Sequence, residues 1–222
     1  MSLTETQVRQ LHEAIRSYDF PAVYYDFSLE HEVAANDMGD VERVVGGQLW
    51  STFPNDVKHG LMNVLYWGYA RVGYRDRRVQ DLGNSVTMRQ LDDLQGLLKK
   101  GMPTMVQIKA LRIPQYSGMS FLSKVLMFLN PAEYCVLDRQ VAGLRTHDSL
   151  KALNGLIFGP RDTQIRVSSH NEQVYNRWRK ECLDISREYF SGQYRVVDVE
   201  RGLFHLVQTG HLSDAQTIYR EA

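Results

Sequence analysis

Apolar residues recur at helical spacing through most of the chain. Between Thr4 and Tyr18, the residues Val8, Leu11 and Ile15 fall on one stripe, and Thr4 is placed to cap the helix. The same periodicity, with cap and break residues at its edges, predicts further helices over Asp37–Trp50, Pro54 to about Val72, Ser85 to about Lys99 with Thr87 as N-cap, Met105–Leu111 with Val106 and Ala110 inward, Met119–Leu129, His170–Phe190 and Val197–Thr209.

The segments between these helices give little indication of strands. Tyr74–Arg78 predicts a charged loop, Tyr134–Leu137 an extended apolar run, and Lys151–Val167 an irregular stretch. No set of alternating positions is long enough to build a sheet, so the predicted fold class is all-α. One compact helical domain of residues 1–222 is expected. It can be divided into an N-terminal lobe (about 1–100, with part of the C-terminal region), a segment over about 104–145, and C-terminal helices over 170–222.

Composition narrows the classes of protein without selecting one. Lys plus Arg number 26 and Asp plus Glu number 26, so a nucleic-acid-binding protein with this balance must concentrate its basic residues on one face. Cys135 and Cys182 are the only cysteines and form no metal-binding pattern, which predicts reduced thiols and no metal site. The N-terminal residues lack an apolar signal core, and no run approaches the roughly 20 apolar residues that cross a bilayer, so a cytoplasmic protein without a membrane partner is expected.

The segment with the clearest chemical pattern is 109–144. It reads as a helix, a glycine-containing turn, a second helix that Asn130-Pro131 stops, an apolar lead-in and then Asp138 at the start of a short helix. A turn ending in Ser117-Gly118 leaves backbone N–H groups exposed at the start of the second helix. Those amides and the helix dipole favour a bound phosphate.

This segment resembles the helix-hairpin-helix DNA glycosylase superfamily, in particular the bacterial 8-oxoguanine glycosylase-like subgroup. The likeness is carried by the Ser-Lys-x-Leu-x-Phe-Leu-x-Pro run at 123–131, by Val-Leu-Asp-Arg-x-Val at 136–141, and by the helix at 197–204. The resemblance implies a two-lobed helical fold with an interlobe cleft, a flipped-out target base, no cofactor, and a monomer that binds double-stranded DNA containing a damaged or modified base.

The resemblance also implies roles for individual residues. Asp138 matches the catalytic aspartate that stabilises the cationic sugar, and Gln115, Tyr116, Ser117, Gly118, Ser120 and Arg139 are the candidate DNA-binding residues. The position where bifunctional members carry a Schiff-base lysine falls here on Ser120, or on Met119 one residue earlier. This departure puts strand cleavage in doubt. Lys124, one helical turn beyond Ser120 on the same face, is the alternative amine.

Each of these residues also has a simpler interpretation. Asp138 can be an N-cap worth about 1 kcal/mol, and Lys124 can pair with Asp138 or with a DNA phosphate without attacking carbon. Trp50, Phe53 and Trp67 are candidates for a base pocket, although aromatic residues at helical spacing are commonly core residues.

The sequence therefore supports three functional hypotheses. The first is a DNA glycosylase that excises an 8-oxoguanine-like purine, or a modified base in foreign or phage DNA, with Schiff-base lyase activity through Lys124 left open. The second is a helix-hairpin-helix protein that binds DNA without catalysis. The third, consistent with the zero net charge, is a helical interaction protein unrelated to DNA.

Overall fold

A computed structural model describes residues 2–146, 150–160 and 164–222. Of the described residues, 61% are helical and 5% lie in strands, so the predicted mostly helical class is confirmed. Residues 147–149 and 161–163, the latter within the stretch predicted to be irregular, lie outside the described residues.

The described elements follow one another in chain order as two short strands among ten helices. They are α1 (Glu5–Arg16), β1 (Val23–Asp26), β2 (His31–Ala34), α2 (Met38–Leu49), α3 (Pro54–Gly68), α4 (Arg75–Ser85), α5 (Met88–Leu98), α6 (Met105–Ala110), α7 (Met119–Leu129), α8 (Ser169–Phe190), α9 (Val196–Gln208) and α10 (Leu212–Glu221). Two 3₁₀ turns, Val141–Leu144 and Ala152–Gly155, precede α8.

The chain divides into two compact units. The terminal unit comprises Met1–Asp19 and Pro131–Ala222, and the central unit comprises Phe20–Asn130. Both ends of the chain therefore belong to one unit, and the segment 104–145 is shared between the two. The interlobe cleft implied by the family resemblance stays a prediction.

The central unit begins with a β-hairpin that the hydrophobic pattern does not reveal. β1 and β2 pair antiparallel from Val23↔Ala34 to Asp26↔His31, so the prediction that no sheet is present is wrong for this segment. The strands are too short for a period-two pattern to stand out. The hairpin is held instead by Asn63 of α3, which is fully buried and bonds both backbone groups of Tyr25.

Helices α2, α3 and α7 pack together as the core of the central unit. Gly46 allows close packing of α2 and α7, because a Cβ there would lie 2.6 Å from the Phe128 carbonyl oxygen. The charged segment Tyr74–Arg78 is not a loop: most of it forms the first turn of α4, whose buried positions Val79 and Leu82 come only after the charged run.

Short α6 shows that a helix can be predicted correctly while its buried face is not. Met105 and Ile108 are buried, whereas Val106 and Ala110, which were predicted to point inward, are exposed. In a helix of 6 residues, apolar residues lie on two faces, and the 3.6-residue period does not show which face is buried. Contacts with the rest of the chain decide it.

In the terminal unit, α9 is the central helix, and α1, α8 and α10 pack on it. Thr4 caps α1 as predicted and forms a capping box with Gln7. Gly202 lets α9 approach α1 closely, since a Cβ there would lie 2.5 Å from Ile15 Cγ1.

The two cysteines lie together in the core of this unit. Cys135 and Cys182 are fully buried, and their thiols are hydrogen-bonded to each other. Burial raises the pKa of both thiols, so they are protonated at neutral pH.

Across the described residues, no helix combines the length and apolar character that crossing a bilayer requires.

Candidate active site

The turn between α6 and α7 adopts a fixed, partly strained conformation. Arg112 and Gln115 have positive φ values of 54° and 70°. These values lie in the left-handed backbone region, which residues other than glycine and asparagine seldom adopt. The Gln115 side chain accepts a hydrogen bond of 3.1 Å from Arg78 of α4. The turn is thereby tied to a neighbouring helix through the predicted DNA-binding residue Gln115.

Tyr116 anchors this turn in the core. Its side chain is 2% exposed, and its hydroxyl donates to the Leu61 carbonyl oxygen at 2.5 Å. Its backbone N–H donates to the Ile113 carbonyl oxygen at 3.2 Å. Both donor groups of Tyr116 are therefore occupied within the protein. Tyr116, a predicted DNA-binding residue, thus positions the turn between α6 and α7 and has no donor left for a ligand.

The first turn of α7 carries no side-chain cap. Gly118 is the N-cap, with extended backbone geometry and no side-chain hydrogen bond to the first amides. Ser117 is exposed, and Gly118 and Ser120 are partly exposed. Amides at such a helix start, together with the positive end of the helix dipole, are suited to an anionic oxygen.

Lys124 lies one turn further along α7 and is buried, with a relative exposure of 6%. Its Nζ lies 3.1 Å from Ser120 Oγ and 3.5 Å from the Ser120 carbonyl oxygen, so the two side chains share one helix face as their spacing predicts. The ammonium also lies 5.3 Å from the Phe121 ring centroid.

Gly68 of α3 makes the space for this lysine, a contribution that sequence reasoning missed. A Cβ on Gly68 would lie 2.6 Å from the Phe121 ring and 3.2 Å from Lys124 Cδ. Nothing in the sequence around Gly68 distinguishes it from an ordinary glycine near a helix end, because the contact spans more than 50 positions along the chain.

In the terminal unit, Asp138 is partly buried and follows the buried run Cys135–Leu137. Its Oδ1 accepts hydrogen bonds from the amides of Gln140 at 2.9 Å and Val141 at 3.1 Å. The short helix expected to open at Asp138 is a 3₁₀ turn that begins at Val141, with Gln140 at the N-cap position, so Asp138 fixes the approach to this turn from two residues before that cap. Arg139, beside it in the chain, is exposed.

The lead-in to Asp138 is held by α8 and α9. Tyr175 donates to the Cys135 carbonyl oxygen at 2.7 Å, and the Trp178 indole N–H donates to that of Val136 at 3.3 Å. The Val136 amide in turn donates to Glu200 Oε2 at 3.4 Å. Because the segment is irregular, these side chains satisfy backbone groups that a helix or a strand would have satisfied itself.

A buried charged cluster lies near Asp138. Glu200 and Arg201 of α9 are 3% and 5% exposed, and the Arg201 guanidinium lies 5.3 Å from the Tyr18 ring centroid. Burial raises the pKa of the Tyr18 hydroxyl; Arg201 opposes this rise, and the Glu200 and Asp138 carboxylates add to it. The resemblance at 197–204 singles out this part of α9, whereas no signal in the sequence pointed to Tyr18.

The three aromatic candidates for a base pocket have different environments. Trp50 and Phe53 are 45% and 69% exposed, and the Trp50 indole donates to the Leu129 carbonyl oxygen at 3.0 Å. Trp67 is 3% exposed and packs edge-on against Phe20 and Phe128. Trp67 is therefore a core residue, while Trp50 and Phe53 remain available at the surface.

The described residues contain no group of three His, Cys, Asp or Glu side chains arranged to hold a metal ion. Of the candidate reactive groups, the amine of Lys124 and the hydroxyl of Ser120 belong to the central unit, and the carboxylate of Asp138 belongs to the terminal unit. Comparisons of the chain with protein-family models, curated proteins and solved structures give no match.

Proposed function

We propose that this protein is a DNA glycosylase that excises a damaged or modified base, such as an oxidised purine, from double-stranded DNA. The observation that carries the proposal is on α7, where an uncapped first turn is followed one turn later by the buried amine of Lys124. Phosphate recognition and an amine for covalent chemistry are thereby joined on one rigid helix.

The turn before α7 supports the DNA-binding part of the proposal. The amides from Gly118 onward would bind a backbone phosphate, with the hydroxyls of Ser117 and Ser120 beside them. Such contacts add no formal charge, which is consistent with a chain of zero net charge. Arg139, exposed in the terminal unit, would contribute a further phosphate contact.

The carboxylate of Asp138 supports the catalytic part. As the glycosidic bond breaks, positive charge develops on the sugar, and a carboxylate already fixed in position stabilises that charge without reorganising. Two backbone amides fix Asp138 through one of its oxygens. Capping and catalysis are therefore compatible roles for the same side chain.

Lys124 would supply the covalent step. After the Lys124 ammonium has given a proton to water, the resulting amine attacks C1′ of the sugar, the bond from C1′ to the base breaks, and the electron pair leaves with the base, which takes up a proton. Loss of the amine proton and opening of the sugar ring then give a Schiff base, from which β-elimination cleaves the strand. Ser120, 3.1 Å from the amine, would accept a hydrogen bond from it before the attack.

A second candidate function is DNA binding without base excision. Ser120 favours it, because a serine stands where bifunctional members of the resembled family carry a lysine. The two functions make different demands on Lys124 and Asp138, which makes them separable by experiment.

The decisive experiment is a panel of duplexes, each with one modified base, assayed for release of free base with and without alkaline cleavage. Wild-type protein is expected to release at least one base, and borohydride is expected to trap the protein on that duplex. Lys124→Ala should abolish trapping while leaving duplex binding intact, whereas Lys100→Ala, at an exposed position after α5, should behave as wild type.

Asp138→Asn tests the carboxylate separately. Asparagine keeps an oxygen that can accept the two amide hydrogen bonds but removes the charge, so base release should be lost while the protein stays folded. Trapping that persists in Lys124→Ala would overturn the role of the lysine. Salt-sensitive duplex binding with no base released from any duplex would overturn excision and favour the second candidate.

A further inference from the structure

The central unit contains a pocket of about 370 Å³ formed by the β-hairpin, α3 and α4. Three aromatic rings, those of Tyr25, Phe27 and Tyr66, provide much of its wall. Met62 and Val79 add apolar surface, and Asp76 and Gln80 of α4 add polar groups. None of the candidate catalytic or DNA-binding residues lines this pocket, so it is a separate site.

The walls of this pocket are fixed before any ligand arrives. Asn63 accepts a hydrogen bond from the Tyr25 amide at 2.7 Å and donates one to the Tyr25 carbonyl oxygen at 3.1 Å. Asp26 Oδ1 accepts from the amides of Ser28 and Leu29 at 2.8 and 3.0 Å, which fixes the hairpin turn. A site whose walls are already ordered loses little conformational entropy when a ligand binds.

Arg75 closes one side of the aromatic wall. Its guanidinium carbon lies 3.8 Å from the Tyr66 ring centroid, and its nitrogens lie 2.9 Å from Glu32 Oε2 and 3.0 Å from Asp76 Oδ1. The Tyr66 hydroxyl donates to the same Glu32 oxygen at 2.5 Å. One guanidinium thus lies between two carboxylates, which leaves a formal charge of about −1 on this group of three side chains.

Size, shape and charge together restrict the ligand. Small-molecule sites span roughly 300–1,000 Å³, so this pocket suits a ligand of nucleoside size and excludes a large cofactor. Tilted aromatic rings favour a flat ring system that can stack. The excess of carboxylates disfavours a phosphate group, because Arg75 is already neutralised.

Hydrogen bonding restricts the ligand further. Asp76 and Gln80 are one helical turn apart on α4 and both line the pocket. A carboxylate accepts a hydrogen bond from an exocyclic amino group, and a glutamine amide can bond the amino and ring nitrogens of adenine in pairs. We propose that this pocket binds a nucleobase bearing an exocyclic amino group, presented as a free nucleoside.

The proposal goes beyond base excision and does not depend on it. The pocket lies in the central unit, on elements that carry neither Asp138 nor Lys124. Nucleoside binding can therefore fail while excision stands, and the reverse also holds.

The test is titration of the full-length protein with adenosine, cytidine, uridine and adenosine 5′-monophosphate, followed by calorimetry and by NMR of the tyrosine ring protons. Adenosine or cytidine should bind and should shift the resonances of Tyr25 and Tyr66. Uridine, which lacks the amino group, should bind about tenfold more weakly. The monophosphate should bind more weakly than adenosine because the site already has an excess of negative charge.

Two variants with matched controls locate the binding. Tyr25→Leu removes one aromatic ring of the wall and should weaken adenosine binding at least about tenfold, whereas Tyr74→Leu, at a half-exposed tyrosine outside the lining, should not. Asp76→Asn should reduce both the discrimination against uridine and the penalty on the monophosphate. Asp93→Asn, at an exposed carboxylate on α5, should leave both unchanged.

Several results would overturn the proposal. Folded wild-type protein that binds neither adenosine nor cytidine at millimolar concentration excludes the site. Equal affinity for uridine and cytidine, or unchanged binding in a folded Tyr25→Leu variant, would show that the aromatic wall and the carboxylate do not recognise an amino-bearing base.

Discussion

Helices α7 and α9 are both deeply buried, and they handle buried charge in different ways. Nine of the 11 residues of α7 are buried, and Lys124 is its only charged residue. Nine of the 13 residues of α9 are buried, but α9 carries Asp198, Glu200 and Arg201 within one turn. α9 supplies charges of both signs itself, whereas α7 supplies one ammonium and no carboxylate.

The difference indicates what each charge is for. In α9, Arg201 lies 3.8 Å from Asp198, and Glu200 accepts a hydrogen bond from the Val136 amide, so Glu200 holds part of the segment that leads to Asp138. In α7, the lysine rests against Ser120 and Phe121, in space that Gly68 leaves for it. A buried charge costs free energy unless it is compensated. We therefore expect the protein to lose stability when a buried charge of α9 is removed, because the remaining charges lose part of their compensation.

The largest effect expected from this comparison is on Arg201. Arg201→Met should lower the free energy of unfolding by about 3–5 kcal/mol, because it removes a buried guanidinium that contacts Tyr18 and lies 3.8 Å from Asp198, and it leaves the buried Glu200 carboxylate in place. Urea unfolding measures this change. Arg195→Met, at a partly exposed arginine at the start of the same helix, should cost only about 1 kcal/mol. Equal losses in the two variants would contradict a special role for buried charge in α9.

A smaller, pH-dependent effect is expected at Asp198. Burial alone would raise its pKa, but hydrogen bonds and charge from Arg195, with Arg201 adding, lower it below the usual 3.8. A carboxyl group whose pKa is lower in the folded state stabilises the protein above pH 3.8 and loses this contribution as the pH falls further. Asp198→Asn should therefore be less stable than wild type at pH 7 by about 1 kcal/mol.

The pH dependence of this stability difference tests the role of the Asp198 charge. The difference between wild type and Asp198→Asn should shrink below about pH 4, measured by urea unfolding at a series of pH values. Asp93→Asn, on the surface of α5, serves as the control. A difference that stays constant down to acid pH would show that the Asp198 charge does not stabilise the fold.

The smallest effect on stability is expected at Lys124. Methionine preserves the apolar part of the side chain beside Phe121 and Gly68, and it removes the cost of burying an ammonium together with the polar contacts of that ammonium, among them those with Ser120. Lys124→Met should therefore change the free energy of unfolding by no more than about 1 kcal/mol. A loss of stability as large as that expected for Arg201→Met would instead show that the Lys124 charge stabilises the fold, as the buried charges of α9 do.

Helices whose ends are marked by local chemistry were predictable from the sequence. Thr4 and Thr87 both form capping boxes, and α7 has the bounds that were predicted for it. These signals act over three or four residues, so the sequence contains them in full. The Asp138 carboxylate also acts locally, on the amides two and three residues ahead, although the 3₁₀ turn begins later than the sequence predicted.

Features that depend on distant partners were not predictable. The β-hairpin relies on Asn63, which lies 38 residues from Tyr25, and the first turn of α4 is fixed by the Arg75 pair with Glu32. Whether an aromatic residue is core, as Trp67 is, or surface, as Phe53 is, depends in the same way on contacts remote in sequence.

The candidate site divides along the same line. The turn between α6 and α7 follows from local spacing, and so does the helix face that Ser120 and Lys124 share. Tyr18 and Gly68 do not, because each acts on residues far along the chain. The pocket lined by Tyr25 and Tyr66 lies between a β-hairpin that was not predicted and α4, whose first residues were predicted to be a loop, so no sequence pattern could have revealed it.

The paired cysteines give the terminal unit an experimental signature of its own. Both sulfur atoms belong to the terminal unit, and Phe20–Asn130 contains no cysteine at all. An alkylating reagent can react with them only when the terminal unit opens, since the thiols are enclosed and protonated in the folded chain. The alkylation rate therefore measures how often the terminal unit opens, whereas tryptophan fluorescence reports both units, because Trp50 and Trp67 lie in the central unit and Trp178 in the terminal unit.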